Sequence, residues 1–223
     1  PDYSSAASDV YKRQLVGDLI DFWFEWRHVV PKGAVRLLGH IGELVDGGLE
    51  VHWHLGNHDM WTRGYLADEL GVHVHADPID VEFAGFRCLV GHGDGLGPGD
   101  RKYKALKRLF RNPAARWAFA RLHPDFAFRI GSRLSRDSRA AGAEAEARYT
   151  GPEGEWLFHH CRDVLDRDAY DAFIFGHRHL PLDLEVTSSN GARTARYLNC
   201  GDWIGHRTYV TLDGDGPALR HWT

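Results

Sequence analysis

Gly56-Asn57-His58-Asp59 is the stretch that decides how this chain is read, because three similar breaks surround it. Gly17-Asp18 precedes it, and Gly91-His92-Gly93-Asp94 and Gly176-His177-Arg178-His179 follow. Each is led by an apolar run: Leu15-Val16, Val51 to Leu55, Cys88 to Val90 and Phe173 to Phe175. Short apolar runs stopped by glycine read as strands. Polar residues at strand C-termini converge in the crevice that open α/β sheets use for chemistry. Asp, Asn and His offer hard oxygen and borderline nitrogen donors, a mixture suited to two divalent ions, Mn first, with Fe or Zn as alternatives. Taken singly, each block also has a structural reading. Gly-Asp is a common strand-to-turn step, Asn and Asp favour turns, and two histidines two apart can sit idle on a strand. The fourfold recurrence favours ligation.

The residues expected to hold metal are Asp18, Asn57, His92, His177 and His179. Two ions sharing a carboxylate can activate a water and clamp a phosphate for in-line attack, and Asp18 is the candidate bridge. His58 cannot easily join Asn57 on the same ion, since adjacent side chains diverge. It is better placed to stabilise charge on a leaving oxygen or to donate a proton, with Asp59 fixing its tautomer. The plain alternative is that His58 only packs.

At 223 residues the chain suits one α/β domain. Its 43% hydrophobic content is ordinary, and a net charge of -4 gives no overall pull toward nucleic acid, so no nucleic-acid partner is expected. No run of 18 apolar residues occurs. Cys88, Cys161 and Cys200 are widely spaced without a C-x-x-C pair, which fits buried thiols in a reducing compartment. Pro1 to Gln14 is polar and aperiodic and lacks the pattern of a signal peptide; it is expected to be a non-native leader, with the domain running from 15 to 223.

Periodicity predicts a helix over 29–45, strands over 49–55 and 72–76, a hairpin over 79–90 about Ala84-Gly85, and a short helix over 65–70. His52 and His54, like His73 and His75, read as strand patterning rather than ligands. Residues 101–139 differ from the rest, with 12 Lys or Arg against 2 acidic residues, interleaved with aromatics. Helices are expected over 101–111 and 113–122, Pro113 opening the second and Pro124 ending it. A solvated cationic face and a nucleic-acid surface are the other readings of such a run. The aromatic mixture favours an interfacial helix pair that touches an anionic bilayer and covers an acyl-chain groove. An Ala/Glu-rich connection after Gly142, a helix over 153–165, and strands over 170–175, 182–186, 194–198 and 209–212 complete the chain, the last closing the sheet. Phe22-Trp23-Phe24-Glu25-Trp26 reads as core packing, part of which could wall a pocket.

The four blocks resemble the calcineurin-like metallophosphoesterase superfamily, whose pattern is D-x-H, G-D, G-N-H-D or G-N-R-D, G-H and G-H-x-H. Within it the chain is most similar to the UDP-2,3-diacylglucosamine hydrolases (pyrophosphatases) of lipid A synthesis. That similarity rests on Gly17-Asp18-Leu19-Ile20-Asp21-Phe22-Trp23, His92-Gly93-Asp94 with Asp100 and Tyr103, His177-Arg178-His179-Leu180-Pro181 and Leu198-Asn199-Cys200-Gly201-Asp202-Trp203. It runs from about Leu15 to the C-terminus. The resemblance implies an α/β sandwich of mixed β-sheets flanked by helices, with a helical lid insertion near 101–139. It also implies metal-dependent hydrolysis of UDP-2,3-diacylglucosamine to the diacylglucosamine 1-phosphate and UMP, on the cytoplasmic face of the bacterial inner membrane.

By the same resemblance one metal site would comprise Asp18, Asn57, His92 and His177. The other keeps Asp18 and His179, because no Asp-x-His precedes Asp18. Asp100, Tyr103, Arg133 and Arg136 are the expected contacts to a UDP-linked acylated sugar. His58 stands where many members carry Arg. A lipid-binding pseudoenzyme and a cytosolic nucleotide phosphodiesterase are the competing functions.

Overall fold

The computed structural model describes residues 12–98, 101–146 and 148–223, without the side chains of 101, 102 and 138–146. Three sheets organise it. The first has the order β1-β2-β3, all parallel: Lys12–Leu15, Glu50–His54 and His73–His75. Helix α1, Val35–Asp46, crosses from β1 to β2 and lays Leu38 and Ile41 on Val51 and Trp53. Val51 and Trp53 alternate with His52 and His54, so β2 presents an apolar face to α1 and an imidazole face away from it. The short α2, Tyr65–Asp68, buries Leu66 in the same cluster.

The second sheet has the order β4-β5-β6-β8-β7: Ile79–Phe83, Phe86–Gly91, Ala172–Phe175, Thr194–Cys200 and Pro181–Thr187. Its inner three strands are parallel and its outer two antiparallel. Phe173 and Phe175 point to one face and meet Leu157, Cys161 and Leu165 of α6, Trp156–Leu165. Ala172 and Ile174 point to the other, with Cys88, Val90 and Leu198, and there Val210, Leu212 and Leu219 of a separate hairpin pack. That hairpin is β9, Thr208–Asp213, with β10, Gly216–His221. With both faces covered, β6 is apolar throughout, as parallel strands usually are.

Between β5 and β6 of the second sheet lie, in sequence, α3, Arg101–Arg111, α4, Pro113–Phe119, and α5, Pro124–Glu146. Asn112 caps α4, accepting from the N–H groups of Ala114 and Ala115, with Pro113 in its first turn. The insertion seats on aromatic rings: Phe22 meets Trp61, Phe119 and Phe128, and Gly131 of α5 leaves room for the Phe22 ring.

Several expectations are corrected. The first helix begins at Val35, because Pro31 and Gly33, with φ +114°, interrupt 29–34. Pro124 opens α5 instead of ending a helix, since the first helical position needs no N–H, and α5 absorbs the Ala/Glu-rich stretch to Glu146. β9 does not close the main sheet; it pairs with β10, a strand that periodicity did not reveal. Lys12 to Gln14 belong to β1, where Lys12 Nζ reaches Glu50 at 2.9 Å; the rest of the expected leader, 1–11, lies outside the described residues.

Candidate metal centre

Asp18 follows β1, Asn57 follows β2, His92 follows β5, and His177 and His179 follow β6. The loops bring Asp18, His92 and His177 together, each with a donor atom within 4.8 Å of the others. Asp18 Oδ2 lies 3.1 Å from His92 Nε2, and Asn57 Oδ1 lies 3.4 Å from the same nitrogen. His92 Nδ1–H donates to the Val16 carbonyl at 2.7 Å, which fixes the tautomer and leaves Nε2 facing the carboxylate and the amide oxygen. Three lone-pair atoms converging on one point form a set that a cation completes, so the residues present fit a divalent ion.

Electrostatics follow from the same crowding. Burial would lower the His92 pKa, but the Asp18 carboxylate outweighs it and pushes His92 up to about 9. Burial would raise Asp18, yet the attraction and hydrogen bond of His92, with His58, hold it well below the usual carboxylate range. His177 is lowered to about 3 by burial and then by the neighbouring His92, so it stands neutral and ready to ligate.

The backbone is specialised where these side chains leave it. Asp18 (φ 54°), His177 (φ 64°) and His179 (φ 55°) are three of five non-glycine residues in the left-handed region among those described. Such conformations cost of order 1–3 kcal/mol each and gather at functional sites. A Cβ on Gly17 would lie 2.4 Å from His92 Nδ1, and one on Gly56 would lie 2.2 Å from Asp18 Oδ1, so only glycine lets the loops approach this closely.

His58 stands beside the cluster, its Nε2 4.0 Å from Asp18 Oδ2 and its N–H donating to Asp18 Oδ1 at 2.8 Å. The expected contact with Asp59 is not what orients its ring. Asp59 is fully buried and accepts from Gly56 N at 2.6 Å, Trp53 Nε1 at 3.1 Å and Leu19 N at 3.2 Å, so it ties the loop rather than the imidazole. His58 Nδ1 lies 3.0 Å from the Asp21 carbonyl and 2.7 Å from Ser135 Oγ, whose hydroxyl donates to that carbonyl. Satisfying all three atoms puts a proton on Nδ1, so chemistry at His58 runs through Nε2.

Of the expected substrate contacts, Tyr103 reaches the site's edge: its hydroxyl donates to Asp94 at 2.6 Å and its ring lies 6.2 Å from that of His177. Arg133 pairs with Asp137 on the solvent side of α5 and Arg136 is exposed, so the structure does not bring them to the cluster. Asp100 lies outside the described residues.

Sequence reasoning missed several supporting residues. Asp94, nearly buried, takes Lys107 Nζ at 2.6 Å and anchors α3. Arg178, buried between the two histidines, is held by both Glu155 oxygens at 2.8 and 3.0 Å. Asn199 donates to the Gly176 carbonyl and accepts from Gly201 N, pinning the turn that carries His177. Asp94, Arg178 and Asn199 lay inside quoted motifs; Ser135 had no signal at all.

A strand-end set of Asp, Asn and His above a mixed α/β fold defines a metallophosphoesterase. The relatives make the assignment narrower. Over 217 residues, 92% of this chain and 81% of the relative, the sequence is 38% identical to a UDP-2,3-diacylglucosamine hydrolase of Porphyromonas gingivalis. Proteins of the same name from Vibrio parahaemolyticus and Ectopseudomonas mendocina are 23% and 27% identical, covering 93% and 91% of this chain and 83% and 81% of their own lengths. The chain belongs to the UDP-2,3-diacylglucosamine hydrolase family. No protein-family model matches it. Among solved structures, wild type Vps29 complexed with Zn+2 from Entamoeba histolytica is similar at 15% identity and a TM-score of 0.30, covering 87% of this chain and 75% of its own.

Proposed function

We propose that the chain hydrolyses the diphosphate bond of UDP-2,3-diacylglucosamine, releasing 2,3-diacylglucosamine 1-phosphate and UMP. The observation that carries this is the 38% identity with a hydrolase of that name across 92% of the chain, together with the convergence of Asp18, His92 and His177. Asp18, Asn57, His92 and His177 would hold one divalent ion, and Asp18 with His179 would contribute to a second; manganese is the candidate. When bound, such ions neutralise charge on phosphate oxygens and supply a water of lowered pKa.

The chain's own groups do the rest. His177 is kept neutral by burial and offers its lone pair at once, whereas His92, oriented by the Val16 carbonyl, ligates on giving up the proton that the Asp18 carboxylate stabilises. His58, its Nδ1–H engaged by Asp21 and Ser135, presents Nε2 toward Asp18, where the imidazolium form, carrying a second proton on Nε2, can stabilise or protonate a leaving oxygen. Helices α3 to α5 offer the surface an acylated substrate needs: Leu106, Leu109, Trp117, Phe126 and Leu134 are exposed beside arginines, and the Arg121 guanidinium lies 4.7 Å over the Trp117 ring. No helix among the described residues is long and apolar enough to cross a membrane. We place the chain peripherally on the anionic cytoplasmic face of the inner membrane, with α3–α5 as the contact and Tyr103 toward the substrate.

Release of UMP from UDP-2,3-diacylglucosamine with added Mn, stopped by chelator, is the expected result. Equal release from the unacylated nucleotide sugar would mean that a general nucleotide phosphodiesterase had been described instead.

A further inference from the structure

The imidazole face of the first sheet is unused by the chemistry above. His52-Trp53-His54 on β2 and His73-Val74-His75 on β3 run parallel with His52 opposite His73 and His54 opposite His75. With a period of two, all four rings share one face. The rings of His52 and His75 are nearly coplanar, 16° apart, and His52 Nδ1 lies 2.9 Å from His75 Nε2.

The hydrogen bonds fix the tautomers. Glu50 Oε1 can only accept, so His52 Nε2, at 2.9 Å, carries the hydrogen and its Nδ1 is bare. The contact to His75 is therefore a single N–H shared between two imidazoles. His54 donates from Nε2 to Gln14 Oε1 at 2.8 Å, which leaves its Nδ1 bare as well. That atom is buried and has no hydrogen-bond partner among the described residues. Buried polar atoms without partners are rare and call for an explanation.

We propose that His52 Nδ1 and His75 Nε2 hold a borderline divalent cation of the zinc class at a site separate from the catalytic centre, between the rings of His73 and His54. The ion would replace the shared hydrogen. Two nitrogens on one tetrahedral ion lie ~3.3 Å apart, given bonds of ~2.0–2.1 Å, so the 2.9 Å pair has to open by only a few tenths of an ångström. The rings of His73 and His54 lie 5.1 Å from those of His52 and His75 respectively, one to either side. The carboxylate of Glu50 behind His52 is the usual arrangement for orienting a ligating imidazole. Burial lowers the pKa of His52, His75 and His54, the last to about 3, so protons do not compete for these nitrogens near neutrality. An all-imidazole set favours Zn, Ni or Cu over Mn or Mg, which separates this site from the mixed oxygen and nitrogen donors around Asp18.

The test is metal content by mass spectrometry after chelator stripping and equilibrium dialysis against Zn2+. The parent, H92A, the double variant H52Q/H75Q and the triple variant are compared. H52Q/H75Q should hold one zinc equivalent fewer than the parent, the triple variant one fewer than H92A, and with Mn2+ the double substitution should change nothing. Equal zinc content with and without H52Q/H75Q overturns the proposal, whatever H92A does to the catalytic ion. Should the double variant fail to fold by thermal melt, E50Q decides. Loss of the orienting carboxylate should weaken this zinc equivalent 10–100-fold, and unchanged affinity overturns the proposal.

Discussion

Replacing Gly56 with alanine should disable the site through a single methyl group. Its Cβ would fall 2.2 Å from Asp18 Oδ1 and 2.7 Å from the Asp18 backbone nitrogen. Non-bonded carbon contacts relax near 3.5 Å, so the two loops must part by about 1 Å. Asp18 has no slack to absorb this, because Oδ1 accepts from His58 N at 2.8 Å and Oδ2 faces His92 at 3.1 Å. A misplacement of about 1 Å at reacting groups costs on the order of a hundredfold in rate, and overpacking of this kind costs about 1–3 kcal/mol in stability. For a chain of this size that is a fall of roughly 2–12 °C in Tm. The matched control is Gly39→Ala, inside α1 with open space around the new Cβ, which should gain about 0.5–1 kcal/mol. Turnover on UDP-2,3-diacylglucosamine and thermal melts of both variants decide the matter. A Gly56→Ala protein within fivefold of the parent rate would refute the claim that the loops meet at this contact.

Three further outcomes are expected. Glu155→Ala leaves the Arg178 guanidinium buried without its carboxylate, which should cost about 3–5 kcal/mol in urea unfolding; a loss below about 1 kcal/mol would mean the pair is solvated. Metal loading at pH 7.5 should release about one proton, because His92, with its pKa pushed up to about 9, is protonated in the metal-free protein and must give up that proton to ligate. Affinity should accordingly weaken as pH falls below about 9, and calorimetry in two buffers of different ionisation enthalpy that shows no proton release would contradict the site. Changing Arg108, Arg121 and Arg129, all exposed, to Glu should weaken co-sedimentation with anionic vesicles, each basic group contributing on the order of 1 kcal/mol near the surface. Equal binding of parent and variant would leave α3–α5 as an ordinary solvated face.

The strand-end residues were legible because their signal is local: an apolar run, a glycine, then a donor. The positions of most strands along the chain followed from the same runs. The boundaries at Pro124 and Val35 were not, since proline both ends and begins helices and only the packing of Phe22 against Gly131 and Phe128 shows which applies. β10 was hidden because Gly216, Pro217 and the polar ends of the hairpin break its alternation, and its burial comes from packing under Phe86 and Val81. The orienting partner of His58 was misread because Asp59 adjoins it in sequence, while Ser135 is 77 positions away.

That distance carries a consequence for how the insertion relates to the chemistry. Among the cations of residues 101–139, sequence alone gives no means to tell those that face inward. Lys107 turns in and meets Asp94, two residues past His92, while Tyr103 meets the same carboxylate from one turn earlier on α3. Ser135 does the equivalent from α5, holding the ring of His58 beside Asn57. The two longest helices of the insertion are thus each tied by a buried polar contact to a residue next to, or two positions from, a candidate metal ligand. Asp94 is nearly buried, so Lys107 and Tyr103 cannot withdraw without leaving its carboxylate uncompensated, a cost of several kcal/mol. Movement of the exposed aromatic surface of α3–α5 therefore has to carry His92 and His58 with it or break those ties. An insertion joined this way constrains the positions of His92 and His58.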